Sequence, residues 1–334
     1  MSIERAVAEL TRWIAIDSVT PNEANFLVGL QEWFDERGYR CERQPIEAGR
    51  WNLVARAGQA TSFLYSTHVD TVPPHLAPRV ENGRVYGRGA CDTKGGIVAM
   101  CHAGERLRAS GYDDFGYLFV VGEEVDHRGA REARSLDLST GRIILCEPTQ
   151  NRVVAAQKGM LKLILTARGI AAHSAYPSRG VSAVHRLLDA IGRLRAQPWP
   201  ADDLLGPTTL NVGVIEGGVA ANVFAPSARA ELLVRTVSDV EPLRARVLEL
   251  CGDDVEVEVP AANDPVFFDP PEGVETCTVA FNTDATYLGE IAPVWLVGPG
   301  DIQVAHSDDE HIEIDDLAAG IDLYERLGRL CIGH

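Results

Sequence analysis

The sequence is organised around the stretch Ser62-Phe63-Leu64-Tyr65-Ser66-Thr67, a short apolar and aromatic run typical of a buried strand. A helical pattern follows it over Gly95–Ala109. Similar patterns on either side predict strands at Trp51–Ala55, Tyr117–Val121 and Arg142–Cys146, and a helix near His127–Ser135. Strands that alternate with helices predict an α/β fold with a mostly parallel sheet flanked by helices.

Two helices are predicted before this sheet. Apolar residues recur at helical spacing over residues 3–15. The second helix is expected to start at Thr20 as its N-cap, with Pro21 in the first helical position and Glu23 closing a capping box.

The middle of the chain has a different order of elements. Strand, helix, strand, strand, helix and strand are predicted at Met160–Thr166, Val181–Ala196, Thr209–Ile215, Ala228–Arg235, Val240–Leu250 and Val255–Val259. This βαββαβ order is the ferredoxin-like pattern, so residues 157–260 are expected to form an inserted domain. Residues 1–156 and 261–334 are expected to form the other domain, which ends with a strand at Val294–Val297 and a helix at Ile314–Cys331.

The composition excludes several classes of protein. Asp and Glu total 48 against 31 Lys and Arg, and the formal net charge of −17 argues against binding to nucleic acid or to anionic membranes. No apolar run approaches the roughly 20 residues of a membrane span, and no signal peptide is recognisable. The seven cysteines are scattered, as expected of reduced thiols in a cytoplasmic protein.

Histidines and carboxylates fall just after strands or in a glycine-rich turn. His68-Val69-Asp70 ends the stretch quoted above, and Glu123-Glu124 follows Tyr117–Val121. Asp92 lies in Gly87-Arg88-Gly89-Ala90-Cys91-Asp92-Thr93-Lys94-Gly95-Gly96, which lacks the Gly-Lys-Ser/Thr of a phosphate loop. Because functional groups gather at the carboxyl ends of parallel strands, one crevice is expected to hold His68, Asp92, Glu123, Glu124, Glu147 and His306.

These donors point to a metal centre. Each motif alone is also typical of a solvated acidic loop, but two histidines and several carboxylates without thiolates suit a pair of divalent ions, most simply zinc. Such a pair needs one carboxylate that bridges the ions and, for each ion, one histidine and one further carboxylate. Five residues can supply this set, namely His68, Asp92, Glu124, Glu147 and His306. Glu123 is then free to act as a general base on water held by the ions, and Asp70 can orient the His68 ring.

Five segments in order carry a resemblance to a known family. They are Ser66-Thr67-His68-Val69-Asp70-Thr71-Val72-Pro73, the glycine-rich turn with Asp92, Glu123-Glu124, Cys146-Glu147-Pro148-Thr149 and Ala305-His306. The chain resembles the dinuclear-zinc amidohydrolases and peptidases that include acetylornithine deacetylase, succinyl-diaminopimelate desuccinylase, aminoacylase and glutamate carboxypeptidase. The resemblance implies two zinc ions, for which cobalt can substitute. It also implies Asp92 as the bridge, Glu123 as the catalytic base and a role for Asp70 in orienting His68.

The same resemblance implies that residues 157–260 form a lid and dimerisation domain. In this family the histidine matching His173 reaches the active site of the neighbouring subunit, where it stabilises the oxyanion, so a homodimer is expected. Asn222 and Arg235 match positions that hold substrate, and Thr283 lies in a segment that resembles the substrate-side loop. A guanidinium suits the carboxylate of an acylated amino acid.

The expected activity is hydrolysis of a small N-acyl amino acid, and Gly298-Pro299-Gly300-Asp301 is most similar to acetylornithine deacetylase. Lys158 stands where deacetylases and desuccinylases commonly carry arginine. In having a lysine at this position the chain resembles the carrier-protein-linked lysine hydrolases. Desuccinylase and carrier-linked lysine hydrolase therefore remain alternatives. So do a dipeptidase or carboxypeptidase with the same metals and a non-catalytic binding protein.

Overall fold

The structure is a computed structural model that describes residues 2–333. It divides into two compact units. The first runs to Ala155, includes Phe268–Cys277 and continues from Thr283, whereas the second comprises Ala156–Phe267 and Thr278–Asn282.

The helices and strands are numbered in chain order. The helices are α1 Ile3–Ile14, α2 Ala24–Asp35, α3 Lys94–Ala109, α4 Glu123–Asp126, α5 Arg128–Ala133, α6 Ala183–Ala196, α7 Val240–Cys251, α8 Ala285–Leu288 and α9 Ile314–Ile332. The strands are β1 Arg40–Glu47, β2 Arg50–Arg56, β3 Phe63–His68, β4 Arg79–Glu81, β5 Arg84–Tyr86, β6 Phe115–Val120, β7 Arg142–Leu145, β8 Val153–Gln157, β9 Gly159–Arg168, β10 Ala201–Asp202, β11 Gly206–Pro207, β12 Thr209–Gly217, β13 Ser227–Thr236, β14 Val255–Asn263, β15 Val266–Phe267, β16 Thr276–Val279, β17 Val294–Leu296 and β18 His311–Glu313.

A six-stranded sheet in the order β1-β2-β6-β3-β7-β17 is the centre of the first unit. Strands β6, β3, β7 and β17 pair in parallel, whereas β1–β2 and β2–β6 are antiparallel. Every residue of β3 and β6 is buried, as expected of parallel strands covered on both faces. The helices contribute Trp13, Phe34, Met100 and Tyr324 to the same apolar core. The predicted α/β fold is confirmed, with a mixed sheet.

The second unit has its own sheet and core. Strands β12, β13, β9 and β14 form a four-stranded antiparallel sheet, and with α6 and α7 they follow the βαββαβ order. Alternate residues of β9 and β13 are buried, and Leu163, Leu187, Leu232 and Val247 belong to the apolar core of this unit.

The N-terminus of α2 differs from the predicted capping box. The helix begins at Ala24, because the expected capping side chains are used in tertiary contacts. The Thr20 hydroxyl donates to Asp70 Oδ2 at 2.7 Å. The buried Glu23 carboxylate accepts from Arg50 Nε at 3.0 Å. Neither contact can be read from the local sequence.

A buried carboxylate joins three helices of the first unit. Glu9 of α1 accepts from Trp33 Nε1 of α2 at 2.6 Å and lies 2.7 Å from His102 Nε2 of α3. Burial raises the pKa of Glu9, but the hydrogen bonds of His102 and Trp33 outweigh burial and lower it below its usual value. Within residues 2–333, no helix has the length and apolarity needed to cross a membrane.

Glu9→Ala is expected to reduce the free energy of unfolding by roughly 3–5 kcal/mol at neutral pH, because it leaves the buried N–H groups of Trp33 and His102 without an acceptor. Since folding lowers the pKa of Glu9, its stabilisation is complete above the usual value of 4.5 and is lost as the pH falls below it. The difference between wild type and variant in urea denaturation should therefore shrink in acid.

The control is Glu4→Ala, which removes an exposed carboxylate from the same helix. It should change the free energy of unfolding much less than Glu9→Ala does, because an exposed carboxylate stays solvated in both states. Equal losses from the two substitutions would contradict the role of Glu9.

Candidate metal centre

The parallel strands bring the predicted residues to one edge of the central sheet. His68 is the last residue of β3, and Glu123 opens α4 just after β6. Glu147 follows the end of β7, and the loop after β17 leads to His306. Because parallel strands end at the same edge, residues from four distant parts of the sequence meet there.

Asp92 is the centre of this group. His68 Nε2 lies 3.0 Å from Asp92 Oδ1, and His306 Nε2 lies 3.2 Å from Asp92 Oδ2. His306 Nε2 is also 3.1 Å from Glu124 Oε1. Each oxygen of the Asp92 carboxylate thus faces a different imidazole, and ligand atoms of His68, Asp92 and Glu124 lie within 4.8 Å of one another.

Glu147 is buried next to this group. Its residue is 4% exposed, and its Oε1 atom has no hydrogen-bond partner among residues 2–333. Burial and the charges of Glu123 and Asp92 raise the pKa of Glu147 well above its usual value. An additional positive charge at this point would satisfy the orphaned oxygen.

The pKa values of Glu123, Glu124 and His306 are raised in this site, whereas that of Asp92 is lowered because hydrogen bonds to the imidazoles outweigh burial. Burial raises the pKa of Glu123 to about 8, with Asp284 and Glu124 adding to the effect. Burial and the charge of Asp92 also raise the pKa of Glu124. Hydrogen bonds to Asp92 and Glu124 raise the pKa of His306 to about 10. Crowded carboxylates with imidazole nitrogens are a donor set for divalent cations, and the residues present fit such ions.

Asp70 holds the segment that carries the two glutamates. Its carboxylate accepts the backbone N–H groups of Gly122 at 2.9 Å, Glu123 at 3.1 Å and Glu124 at 3.2 Å. His68 Nδ1 lies 3.0 Å from the Asp70 carbonyl oxygen and 3.6 Å from Asp70 Oδ1. Asp70 therefore contacts the His68 ring mainly through its backbone, and its carboxylate positions the turn after β6.

A second buried carboxylate, Glu310, holds the turn that carries Asp92. Glu310 Oε1 accepts the backbone N–H groups of Gly89 at 2.9 Å and of Cys91 and Asp92 at 3.2 Å, while Glu310 Oε2 binds Arg88. Arg88 also donates to the Ser307 carbonyl at 3.3 Å. The pair thus connects the Asp92 turn to the segment after His306.

Other residues of the site were not found from the sequence. Arg88 lies between Gly87 and Gly89 in the tight glycine-rich turn, and this position could have indicated that its guanidinium binds a carboxylate. Nothing local marks Glu310. His127 is four residues from Glu123, and this spacing could have indicated that the two side chains meet. Asp284 could have been considered because it directly follows the predicted site residue Thr283.

The structure places the remaining predicted residues as follows. His173 and Asn222 are both exposed in loops of the second unit, where Ser174 N donates to the Asn222 carbonyl at 2.9 Å. Arg235 lies in β13, and the ammonium of the largely buried Lys158 donates to the Pro207 carbonyl. Thr283 belongs to the first unit, where its hydroxyl accepts from Ala285 N at 3.1 Å.

Fold and site together define a metallo-hydrolase of the α/β class. Residues 64–329 match the family described as "Peptidase family M20/M25/M40". The chain therefore belongs to this family of metallo-hydrolases, whose members are peptidases or amidohydrolases. The predicted resemblance is confirmed at the level of the family, whereas the particular similarity to acetylornithine deacetylase stays a prediction.

Individual relatives cover nearly the whole chain. The "Peptidase M20 domain-containing protein C757.05c" of Schizosaccharomyces pombe is 34% identical over 94% of this chain and 82% of its own length. A "Probable carboxypeptidase" of Aspergillus terreus is 33% identical over 94% and 83%. The crystal structure of a tripeptidase from Staphylococcus aureus, at 23% identity, has a TM-score of 0.83 and covers 97% of this chain and 98% of that one.

Zinc is expected to raise the melting temperature of chelator-treated protein, because a bound cation offsets repulsion among the buried carboxylates. An ion at a hundred times its dissociation constant adds about 2.7 kcal/mol to the free energy of unfolding. Asp92→Asn should remove most of this increase, which differential scanning calorimetry with and without zinc measures.

Asp114→Asn is the matched control, because it neutralises an exposed aspartate of the same unit. It should keep the full zinc-induced increase. The site is contradicted if Asp92→Asn responds to zinc as strongly as wild type does.

Proposed function

We propose that this protein hydrolyses the amide bond of a small N-acyl amino acid, as acetylornithine deacetylase does. The observation that carries the proposal is the convergence of two imidazoles on the Asp92 carboxylate, with the Glu123 carboxylate buried beside them. Such a cluster combines sites for Lewis-acidic cations with a group able to move a proton, and amide hydrolysis requires both.

Two divalent cations are proposed as the cofactors, zinc in the first place with cobalt as a substitute. The residues that would hold them are His68, Asp92, Glu124, Glu147 and His306. When bound, the cations polarise the amide carbonyl and increase the acidity of water in the site.

Glu123 is the proposed general base. Its side chain is 12% exposed, and burial raises its pKa to about 8. A carboxyl group with a pKa near the working pH can both accept and return a proton. Glu123 takes a proton from the attacking water and delivers it to the departing amine, while the hydrogen bond of its backbone N–H to Asp70 keeps this residue in place.

Substrate recognition is assigned to residues outside the ligand set. Arg235 is the proposed partner of the substrate carboxylate, since a guanidinium forms paired hydrogen bonds with a carboxylate. Asn222, Lys158 and Thr283 are proposed to contact the rest of the substrate.

A homodimer formed through the second unit is also proposed. Strand β12 is an edge strand of its sheet, and it exposes Val214 and Ile215 to 39% and 52%. An exposed apolar edge strand is suited to pairing with a second copy. In that assembly His173 would complete the active site of the other subunit by stabilising the oxyanion.

A cytoplasmic location is proposed as well. Cys41, Cys91, Cys101, Cys146, Cys251, Cys277 and Cys331 are all free thiols, as is usual in a reducing compartment.

A second candidate function is that of a carboxypeptidase or dipeptidase. It is favoured by the name "Probable carboxypeptidase" of the Aspergillus terreus relative at 33% identity. The two functions share the metals, the base and a substrate with a free carboxylate, and they differ in whether the acyl group is a simple acid or an amino acid.

Glu123→Gln is expected to lower kcat by roughly 10²–10⁴-fold, because the amide cannot accept the proton of water. Metal content should stay equal to that of wild type, since Glu123 is not among the proposed ligands. Steady-state kinetics and elemental analysis check both statements, and retained turnover would refute the role of Glu123 as base.

A substrate panel tests the function itself. It comprises acetyl, succinyl and glutamyl derivatives of ornithine, citrulline, lysine and diaminopimelate, together with dipeptides, each with zinc or cobalt. We expect the highest kcat/KM with an acetylated amino acid. Exclusive turnover of dipeptides would replace the proposal by the second candidate, and absence of all turnover would refute both.

A further inference from the structure

A one-turn helix carries both the proposed base and a second titratable residue. In α4, Glu123–Asp126, the preceding Gly122 has φ 77° and the following His127 has φ 56°, so left-handed residues bracket the turn. His127 N closes the turn by donating to the Gly122 carbonyl at 2.9 Å. Because they are four residues apart, Glu123 and His127 lie on the same side of the turn.

Asp284 contacts this pair and completes a group of three titratable side chains, of which Asp284 is buried and the other two are partly buried. His127 Nδ1 lies 2.9 Å from Asp284 Oδ1 and 3.4 Å from Glu123 Oε1. The side chains of His127 and Glu123 are 13% and 12% exposed, and that of Asp284 is 1% exposed. The imidazole is thus held between a fully buried aspartate and the carboxylate that moves the proton.

The charges around His127 favour an Nδ1–H donor. Burial lowers the pKa of His127, but the hydrogen bond to Asp284 and the charge of Glu123 raise it to about 9. His68 is the cation that opposes this rise, while Glu123 itself is faced by His127, His68, Asp284 and Glu124. The His127 ring also packs on Tyr287, with ring centroids 5.4 Å apart.

We propose that His127, whose Nδ1–H group is hydrogen-bonded to Asp284, is a positioning residue: its ring lies 3.4 Å from Glu123 Oε1 and fixes the Glu123 carboxylate for proton transfer. The inference rests on the proposed function, in which Glu123 is the general base. Asp284 Oδ2 has no hydrogen-bond partner among residues 2–333, so the aspartate is committed to His127 through Oδ1. A free carboxylate on a one-turn helix would otherwise sample several rotamers.

The test must separate the imidazole from the backbone that it occupies. A positive φ is tolerated by glycine and asparagine better than by most residues. His127→Gly therefore removes the side chain without straining the turn, and His127→Asn restores an N–H donor close to the position of Nδ1. The control His102→Asn alters another buried histidine–carboxylate pair, that with Glu9.

We expect His127→Gly to lower kcat by about 10–100-fold with KM changed less than about twofold, because a small displacement of a reacting group has effects of this size. His127→Asn should recover most of kcat, and His102→Asn should leave kcat and KM unchanged. Elemental analysis should find wild-type metal content in all variants. If His127→Gly keeps wild-type kcat, or if His127→Asn is impaired as severely as His127→Gly, the positioning role is overturned.

Asp284 provides a second, independent variant should His127→Gly fail to fold. Asp284→Ala is expected to lower kcat as His127→Gly does, whereas Asp284→Asn keeps an acceptor for Nδ1–H and should stay near wild type. Unchanged kcat in Asp284→Ala overturns the inference. Failure of the wild type to hydrolyse any substrate of the panel would refute the proposed function, whereas active wild type with unaffected variants refutes the positioning role alone.

Discussion

Burial of like charges at one edge of a sheet is the constraint on which the rest of the site depends. Five carboxylates meet there, those of Asp70, Asp92, Glu123, Glu124 and Glu147. Burial raises the pKa of the three glutamates, so each ionised carboxylate must be compensated. Two imidazoles compensate Asp92, and backbone N–H groups compensate Asp70. The negative charge that remains at Glu147 and Glu124 suits divalent cations, which are often the largest local charges in a protein site.

Carboxylate-to-backbone hydrogen bonds hold the segments that carry the proposed ligands. Asp70 accepts three N–H groups from the turn after β6, and Glu310 accepts three from the turn before α3. Both turns carry proposed ligands, and neither belongs to a long helix or strand. Preorganisation of this kind reduces the rearrangement needed when charge develops in a reaction.

Several elements were predictable because their signals are local. The apolar runs at β3 and β6 and the helix α3 have a periodicity that is visible within a few residues. His68 ends β3, Glu123 closely follows β6 and Asp92 closely precedes α3. The start of α2 was not predictable, since Glu23 binds Arg50 and Thr20 binds Asp70 from distant parts of the sequence. Strand β1 and the β4–β5 hairpin were also not predicted. Strand β1 has a largely exposed pattern, which lacks the apolar signal of a core strand.

The sequence by itself determined the class of the protein, because the order of strands, helices, imidazoles and carboxylates is sufficient to define an α/β metallo-hydrolase. Only the tertiary structure decided which atoms face each other. Glu124 and His306 are 182 residues apart, and Arg88 and Glu310 are 222 apart. Whether Asp70 contacts the His68 ring by its carbonyl or by its carboxylate depends on a difference of less than 1 Å. Hydrogen-bond geometry at that scale follows from packing of the whole unit, which no local pattern encodes.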